Sequence, residues 1–468
     1  MKEFLSCQPV SIEEMLEARE RRANKQQMLL AQIKNPLVCF TLNIPGEYKQ
    51  FPLATRCFYE GTKTISLLLS EERLAITHSE EYNHKTGSEA FFSVDGNAGK
   101  IKELLLPLEE NHQLGRLFDI DVIGTDGKSL KRIDFGREGR KCFICDNPVW
   151  MCARNRTHSS GELVNWVVSS LKAFFDGQMA DRVAQEAVNA LISEVCISPK
   201  PGLVDRFDNG SHNDMDIFTF IDSGCALFSY FRDIFLLCTK YCGSESGIIK
   251  AIRYRGIIAE KTMLAKTKGV NTHKGAIFSL GLICASIGHL YGEDEAITMQ
   301  SVLKRCSAIS QNTLINLNSR KQNNSHGEKV FHEYGLSGIR GEAATGFKSV
   351  TDFALPALNK LMSSGYTVEQ AGIVALLHLL AHVEDTNIVA RSDVDKLRAI
   401  QRDVRVALEK ENYQYLHEYA IALNSHFIAS GVSPGGCADL LAVTLFINSY
   451  FNSNNDVLDN PTTNCSPQ

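Results

Sequence analysis

The sequence lacks several features that would assign it to common classes of protein. It contains no apolar run of the length that a membrane-spanning helix needs, and its first residues lead into a charged helical pattern instead of the apolar core of a signal peptide. Its formal net charge of −5 includes no long block of one sign, so the broad basic surface of a non-specific nucleic-acid binder is missing. We therefore expect a cytoplasmic protein with neither a membrane nor a nucleic-acid partner.

Cysteine is plentiful, with 14 residues, but its distribution does not indicate a disulfide framework. Most cysteines stand singly in apolar helical patterns, where a reduced thiol behaves as a small hydrophobe. One group differs, because its three thiols and one imidazole could complete the tetrahedral shell of a structural zinc ion: Cys142, Cys145, Cys152 and His158. Two alternatives stay open, namely reduced cysteines that are merely local and an anion site that uses Arg154, Arg156 and His158.

The length of 468 residues predicts two domains, each large enough for its own core. Helix and strand patterns alternate in the first part, whereas only helical periodicity follows. A break between helices at Asp176-Gly177 marks the predicted boundary. We predict an α+β domain with a short mixed or antiparallel sheet over residues 1–175, an all-α helical bundle over residues 176–451, and a disordered tail over residues 452–468.

Capping and periodicity predict the elements of the first part. Ser11 and Glu14 have the spacing of a capping box, which predicts a long first helix that ends near Ile33. The remaining patterns predict helices over residues 61–74 and 100–112, strands over residues 37–43 and 90–94, and a hairpin formed by residues 115–124 and 130–135.

Two carboxylates in this hairpin suggest chemistry. Asp119 and Asp121 alternate with apolar residues, so both side chains project from one face of the predicted strand. Adjacent carboxylates repel each other unless a cation lies between them, and such pairs neutralise phosphate charge in phosphoryl and nucleotidyl transfer. With Arg116 just before the strand and Arg132 and Arg137 after it, we expect a metal site; an exposed acidic strand face is the alternative.

The second part contains apolar helical patterns separated by polar loops. Helices are predicted over residues 218–238, 248–265, 276–290, 296–309, 350–362, 368–383, 394–408, 413–428 and 438–451. The loops between them carry glycines together with acidic, basic and amide side chains: residues 199–215, 268–275, 335–342, 384–391 and 433–436. Glycine-rich loops that open helices leave backbone N–H groups free for a triphosphate, although residues 269–274 lack the spacing of a P-loop. Any one such loop is equally consistent with a plain helix cap.

Long strings within these loops resemble the triphosphoribosyl-dephospho-CoA synthases that serve citrate lyase. The resemblance rests on residues 199–205, 210–215, 271–275, 340–342 and 385–387. It implies glycosyl transfer, in which the 2′-hydroxyl of 3′-dephospho-CoA attacks the anomeric carbon of the ATP ribose and adenine leaves. One departure is Ser392, because the family has a glycine after the arginine that corresponds to Arg391.

That reaction requires a carboxylate, an acid and cations along the triphosphate. The candidate catalytic residues are Asp205, His212, Asp214, Glu342 and Asp385, with Asp214 and Asp385 also expected to bind Mg²⁺. The candidate substrate and phosphate contacts are Lys200, Arg206, Asn271, Thr272, His273, Lys274, Arg340, Asn387 and Arg391.

Residues 115–121 and 142–158 resemble the apo-citrate lyase phosphoribosyl-dephospho-CoA transferases. This resemblance implies a nucleotidyltransferase-like first domain that attaches the synthase product to a serine of the acyl-carrier (gamma) subunit of apo-citrate lyase and releases pyrophosphate. Asp119 and Asp121 are then the catalytic Mg²⁺ ligands, and Arg116 contacts a phosphate. The two resemblances together imply a bifunctional fusion.

Other interpretations of the sequence remain open. The first domain could only dock the carrier subunit, which would leave a single synthase activity. The helical domain could instead pass a ribosyl group to water, as an ADP-ribose-type glycohydrolase does. A non-enzymatic scaffold would leave the polar loops unexplained.

Overall fold

A computed structural model describes residues 7–145, 147–319 and 326–452. The chain divides into two compact units, Met1–Asp176 (unit 1) and Gly177–Gln468 (unit 2). The tail predicted over residues 452–468 lies, apart from Asn452, outside the described residues.

Unit 1 is built on a four-stranded sheet. The strands are β1 (Leu37–Leu42), β2 (Ile76–His84), β3 (Gly87–Val94) and β4 (Phe118–Ile123), in the order β2-β3-β1-β4. All three pairings are antiparallel, so the expected α+β class is confirmed and the sheet is antiparallel throughout. Strand β4 lies at one edge, and its register pairs Thr41 with Asp119 and Cys39 with Asp121.

Helices surround this sheet. They are α1 (Ile12–Ile33), α2 (Pro52–Glu71), α3 (Ala98–Asn111), α4 (Val149–Asn155) and the first part of α5 (Ser160–Cys196). The predicted long first helix is confirmed, and its capping box forms between Ser11 and Glu14. Leu29 of α1 packs with Cys39 and Phe91 of the sheet, which identifies the face that α1 covers.

The opposite face of the sheet forms the main core of unit 1. Phe40 stacks on Phe58 of α2 at 5.5 Å between ring centroids and meets Phe118 edge-on at 5.3 Å. Ile120 and Val122 join the same cluster. Because strand residues alternate, burial of these three β4 residues turns Asp119 and Asp121 to the face covered by α1.

Two predictions about the strands of unit 1 are wrong. Residues 130–135 form no partner strand: Arg132–Phe135 is a 3₁₀ turn that ends at Gly136 in the left-handed region, with φ of 67°. Strand β2 was missed, because its alternate residues are polar and exposed and give no apolar run. It forms a hairpin with β3 instead.

The predicted helix break at Asp176-Gly177 is also wrong, since α5 runs without interruption from Ser160 to Cys196. A glycine inside a helix costs only about 1 kcal/mol relative to alanine. Phe175 and Ala180, on either side of the glycine, are both buried. Tertiary burial of this helix therefore outweighs the local signal for a break.

Every regular element of unit 2 among the described residues is helical, as predicted, including a π-helical stretch at Val350–Ala354. Its helices after α5 are α6 (Ile217–Ala226), α7 (Phe228–Thr239), α8 (Glu245–Lys266), α9 (Lys274–Gly292), α10 (Met299–Ser319), α11 (His326–Tyr334), α12 (Gly338–Ala344), α13 (Leu355–Ser363), α14 (Val368–His382), α15 (Thr386–Arg391), α16 (Val394–Leu408), α17 (Tyr413–Ser430) and α18 (Gly435–Asn452). The helix predicted over residues 218–238 is divided at Leu227, whose N–H donates to Gly224 in a tighter turn.

Helices α9, α14 and α18 form the centre of unit 2, and α18 packs against both of the others. Helix α9 is long and apolar enough to cross a membrane by length and composition, which corrects the expectation that no such run exists. Most of its residues are buried inside the unit. Helices α9 and α18 start within polar loops and α14 ends just before one, so these loops are held at the ends of a packed core.

Candidate active sites

The edge strand of unit 1 is anchored by two buried charged side chains of α3. Lys102 Nζ donates to the carbonyl oxygen of Ile120 at 2.7 Å, and the Ile120 N–H donates to Glu109 Oε1 at 3.1 Å. These bonds satisfy backbone groups that an edge strand otherwise leaves unpaired. They fix the strand that carries Asp119 and Asp121, and neither Lys102 nor Glu109 was singled out from the sequence.

Asp119 and Asp121 lie on one face, as predicted, beside an arginine that was not predicted. Arg140 Nη2 donates to Asp119 Oδ1 at 2.8 Å and to Glu109 Oε1 at 2.5 Å. Burial, followed by the nearby charge of Asp119, raises the pKa of Asp121. A pair of this kind is stabilised by a cation between its members, so the two carboxylates fit Mg²⁺.

A third carboxylate lies in the same lateral row of the sheet. Thr41 pairs with Glu89 on one side and with Asp119 on the other, so their side chains share a face. Arg22 of α1 donates to Glu89 Oε1 through Nη2 at 2.9 Å. Arg22 of α1 therefore joins the acidic row.

A cleft of about 350 Å³ lies next to this row. Arg116 is held at its wall, because Nη1 donates to the carbonyl oxygens of Cys142 and Phe143 at 3.1 and 3.2 Å. The other charged residues that line the cleft are Glu109, Glu110, Arg132, Glu138, Arg140 and Lys141. Guanidinium groups beside paired carboxylates provide the charges that a polyphosphate and its metal ion require.

The four predicted zinc ligands come together. The ligand atoms of Cys142, Cys145, Cys152 and His158 all lie within 4.8 Å of one another. Cys145 Sγ is 3.4 Å from Cys152 Sγ and 3.3 Å from His158 Nε2. The contact with Cys145 raises the pKa of the Cys152 thiol to about 11, so the thiols resist joint ionisation without a cation.

In unit 2, the loop of residues 199–215 is organised by two buried groups. Asp205 accepts from the N–H groups of Lys200, Phe207 and Asp208 at 2.7–3.1 Å. The Lys200 ammonium donates to Glu194, and both side chains are almost fully buried. These contacts give Asp205 and Lys200 roles inside the loop, where the sequence predicted catalysis and phosphate contact.

Several of the polar loops meet in space. His212 Nε2 lies 2.8 Å from Ser433 Oγ, which joins the first loop to the last. Arg391 Nη2 lies 3.4 Å from His212 Nδ1. Asp385 Oδ2 accepts from the N–H of Cys437 at 2.8 Å, and its Oδ1 accepts from the first turn of α15.

Glycines allow the other polar loops of unit 2 to lie close to neighbouring side chains. A Cβ at Gly435 would lie 2.9 Å from Asn387 Nδ2, and one at Gly338 would lie 2.9 Å from Thr386 Cγ2. A Cβ at Gly275 would lie 1.8 Å from Asp439 Oδ2. The start of α9 therefore fits against α18 only because residue 275 has no side chain.

Asp439 is the main site residue that the sequence interpretation missed. Burial, with the neighbouring carboxylates of Glu194 and Asp385, raises its pKa well above the usual value for aspartate. Burial also raises the pKa of Asp385 and of Glu194, the latter despite the attraction of Lys200. One signal could have identified Asp439: it is the only acidic residue in the otherwise apolar α18.

His273 lies at the end of a short polar chain next to these carboxylates. Thr272 Oγ1 donates to Ser223 Oγ at 2.7 Å, and that hydroxyl lies 2.7 Å from His273 Nδ1. Burial, followed by the charge of Lys200, lowers the pKa of His273 to about 3, so its imidazole is neutral. His273 Nε2 is buried and has no hydrogen-bond partner among the described residues.

Other candidate residues lie nearer the surface. Arg206 pairs with Glu369, and Lys274 Nζ lies 3.0 Å from Glu260 Oε2. The Asp214 side chain is 63% exposed and 3.9 Å from His212 Nδ1. Asn271 accepts from the N–H of Lys274 at 3.2 Å.

The two residues predicted to bind Mg²⁺ in unit 2, Asp214 and Asp385, lie in different surroundings. Both oxygens of Asp385 already accept backbone N–H groups, whereas Asp214 is exposed beside His212. Glu342 is held by Ser349 through two hydrogen bonds, and Arg340 lies nearby in α12. Ser392, where the resemblance leads us to expect a glycine, takes a negative φ of −142°.

The two sites define a class of protein. One combines paired carboxylates with an arginine-lined cleft, and the other combines buried carboxylates with glycine-rich loops at helix starts. Both arrangements suit transfer reactions of phosphorylated substrates.

Comparison with known proteins identifies the family. Residues 180–456 match the model of the ATP:dephospho-CoA triphosphoribosyl transferases, and residues 10–174 match that of the apo-citrate lyase phosphoribosyl-dephospho-CoA transferases. The chain belongs to the family in which these two enzymes are fused. It is a bifunctional transferase that makes and attaches the citrate lyase prosthetic group.

Full-length relatives have the same organisation. Protein CitXG from Haemophilus influenzae is 34% identical over 455 residues, which cover 94% of this chain and 96% of the relative. Protein CitXG from Leuconostoc mesenteroides subsp. cremoris is 30% identical over 468 residues, covering 96% and 98%. A probable 2-(5''-triphosphoribosyl)-3'-dephosphocoenzyme-A synthase from Vibrio cholerae is 39% identical over 271 residues, covering 57% of this chain and 87% of the relative.

Proposed function

We propose that unit 2 joins ATP to 3′-dephospho-CoA. The 2′-hydroxyl oxygen of dephospho-CoA forms a bond to the anomeric carbon of the ATP ribose, while the bond from that carbon to adenine breaks. The hydroxyl proton leaves and adenine gains one, so the products are 2′-(5″-triphosphoribosyl)-3′-dephospho-CoA and adenine. The observation that carries this proposal is the convergence of the polar loops around Glu194, Asp385 and Asp439.

Asp439 suits the acid in this reaction. Burial and the neighbouring carboxylates raise its pKa well above the usual value for aspartate, which favours the protonated form, and we assign to it the proton that is given to the departing adenine. The carboxylate left behind then stabilises positive charge on the ribose ring. His273 is neutral and has a free Nε2, which suits a hydrogen bond to a substrate hydroxyl.

The phosphates need cations at the rim of the same site. Arg391 is exposed beside His212, and Lys274 begins α9, where the helix dipole favours an anion. We assign the triphosphate to these two residues, with Thr272, Asn271, Arg340 and Asn387 as further substrate contacts. Lys200 is not one of these phosphate contacts, because its ammonium group is paired with the Glu194 carboxylate.

We propose that unit 1 is nucleotidyltransferase-like and transfers this product to the acyl-carrier (gamma) subunit of apo-citrate lyase. A serine oxygen forms a bond to the α-phosphorus of the triphosphate, the bond between the α- and β-phosphates breaks, and pyrophosphate leaves. Asp119 and Asp121 would hold Mg²⁺, which neutralises charge on the phosphate oxygens when bound. Arg116 and Arg140 line the cleft that receives the triphosphate.

The assignment is tested by measuring the two half-reactions separately. Asp439→Asn should lower adenine release by roughly 100-fold or more, the usual contribution of a general acid, while pyrophosphate release from supplied precursor stays unchanged. The double variant Asp119→Asn/Asp121→Asn should show the reverse pattern. Asp403→Asn, an exposed aspartate on α16, is the matched control.

Two results would contradict the proposal. Adenine release at the wild-type rate by Asp439→Asn would show that Asp439 is not the general acid. Free triphosphoribose in place of the adduct would instead indicate a glycohydrolase, with water as the acceptor.

A further inference from the structure

We propose that Cys142, Cys145, Cys152 and His158 bind one structural zinc ion that holds the arginine-bearing wall of the unit 1 cleft. The four donor atoms come from a single short stretch and converge within 4.8 Å. A tetrahedral zinc with ligand bonds of about 2.0–2.3 Å requires donor atoms roughly 3.5–3.8 Å apart. The separations of 3.3 and 3.4 Å from Cys145 to His158 and Cys152 are close to that range.

The backbone around Cys142 has the form of a metal knuckle. The Cys142 N–H donates to the Asn147 carbonyl at 2.9 Å, which closes the turn that begins at this cysteine.

This segment has little core of its own. Ile144, Trp150 and Met151 are all exposed, and among the described residues of 141–158 the buried side chains are those of the cluster members Cys142 and Cys152. A segment without an apolar core needs another source of stability, and a metal ion is the usual one. A disulfide is not formed, since Cys145 and Cys152 are both free thiols in this structure.

The cluster is joined directly to the proposed transferase site, and this part of the inference rests on the proposed function of unit 1. Arg116 donates to the carbonyls of Cys142 and Phe143, so the knuckle determines where its guanidinium lies. Arg140 is two residues before Cys142, and its carbonyl accepts from the Val149 N–H at 2.9 Å. Loss of the ion should therefore displace both arginines from Asp119 and the cleft.

Zinc content is the first test and does not depend on activity. The purified full-length chain, expressed with zinc and passed through a desalting column, should contain one zinc per chain by elemental mass spectrometry. Cobalt in place of zinc should give the charge-transfer absorption of a thiolate-bound tetrahedral ion. Less than a tenth of an equivalent of zinc, or an intact mass two hydrogens lighter that indicates a disulfide, would overturn the proposal.

Variants then separate metal binding from general damage. Cys145→Ser should lose zinc, whereas His158→Cys should keep it because a thiolate can replace the imidazole. Cys225→Ser, at an exposed cysteine outside the cluster, is the matched control. The chain has two tryptophans, Trp150 within the segment and Trp166 stacked on Phe143 at 5.0 Å, so zinc removal should also change the intrinsic fluorescence.

Activity shows what the ion does. With Mg²⁺ in excess, a zinc-selective chelator should lower pyrophosphate release at least 10-fold, the low end for outer-shell losses, and leave adenine release unchanged. Adenine release in the same sample reports that unit 2 remains folded. If the purified chain contains zinc but its removal leaves pyrophosphate release unchanged, the proposed positioning role of the ion is wrong. A zinc-loaded chain with no transferase activity under any condition would instead refute the proposed function of unit 1.

Discussion

At the scale of single residues, the candidate site of unit 2 is dominated by three buried carboxyl groups. Glu194, Asp385 and Asp439 lie near one another, and burial raises the pKa of each. Buried acids are costly for folding unless they are paired or protonated. Lys200 pairs with Glu194, and backbone N–H groups satisfy Asp385, whereas burial favours the protonated form of Asp439.

The pH dependence of stability should reveal this proton. Because the folded-state pKa of Asp439 is raised, the folded protein binds the proton more tightly than the unfolded chain does. The contribution of Asp439 to the free energy of unfolding is therefore complete below its ordinary pKa of about 4 and is lost as the pH rises toward the folded-state pKa. Asp439→Asn, which cannot ionise, should lose less stability than the wild type between acidic and neutral pH.

Melting temperatures of both proteins across that pH range measure the difference. Asp403→Asn should follow the wild-type curve, because its side chain is exposed on α16. Parallel curves for the wild type and Asp439→Asn would show that Asp439 titrates normally.

At the scale of elements, the close approach of two helix starts shapes the unit 2 site. Gly275 in the first turn of α9 faces Asp439 in the first turns of α18, with no room for a methyl group between them. The obstacle is the end of a side chain, which can move more easily than backbone. Substitution should therefore displace Asp439 without unfolding the protein.

Gly275→Ala should lower adenine release by on the order of 100-fold, as misplacement of a catalytic group by about 1 Å can do. Its melting temperature should stay close to that of the wild type. Gly256→Ala on α8 is the matched control, since the new Cβ would be 3.8 Å from the nearest atom. That control should keep full activity and gain about 0.5–1 kcal/mol of stability from helix propensity. Wild-type adenine release by Gly275→Ala would contradict the assigned position of Asp439.

Sequence patterns correctly predicted those helices and strands in which the capping residues and the apolar periodicity agree with the burial found in the structure. The first helix, the Asp119 strand and the central helices of unit 2 were all identified, because capping and apolar periodicity point to the same answer. Strand β2 was missed since its polar alternation resembles a loop. The break at Asp176-Gly177 was wrong because packing along α5 outweighs one glycine.

Sequence patterns also predicted the two candidate sites only in part. Sequence strings identified the loops, but they could not show which charges the fold neutralises. Lys200 is paired, Arg140 and Asp439 are brought in from outside the predicted set, and Asp385 is used for backbone contacts. These facts depend on long-range packing, which spacing along the chain does not encode.

At the scale of the whole molecule, each unit holds its own candidate site. The charges of the unit 1 cleft suit a triphosphate, and the product proposed for unit 2 is a triphosphate. The two activities should therefore fail independently, and supplied precursor should rescue a variant of unit 2 but not a variant of unit 1.

The most direct measurement is the intact mass of the acyl-carrier subunit after incubation with this chain, ATP and 3′-dephospho-CoA. We predict a gain equal to one phosphoribosyl-dephospho-CoA group with the wild type, and no gain with Asp439→Asn or with Asp119→Asn/Asp121→Asn. Purified precursor should restore labelling by Asp439→Asn but not by the double variant. An unmodified carrier subunit with the wild type, or full labelling by the double variant, would contradict the account.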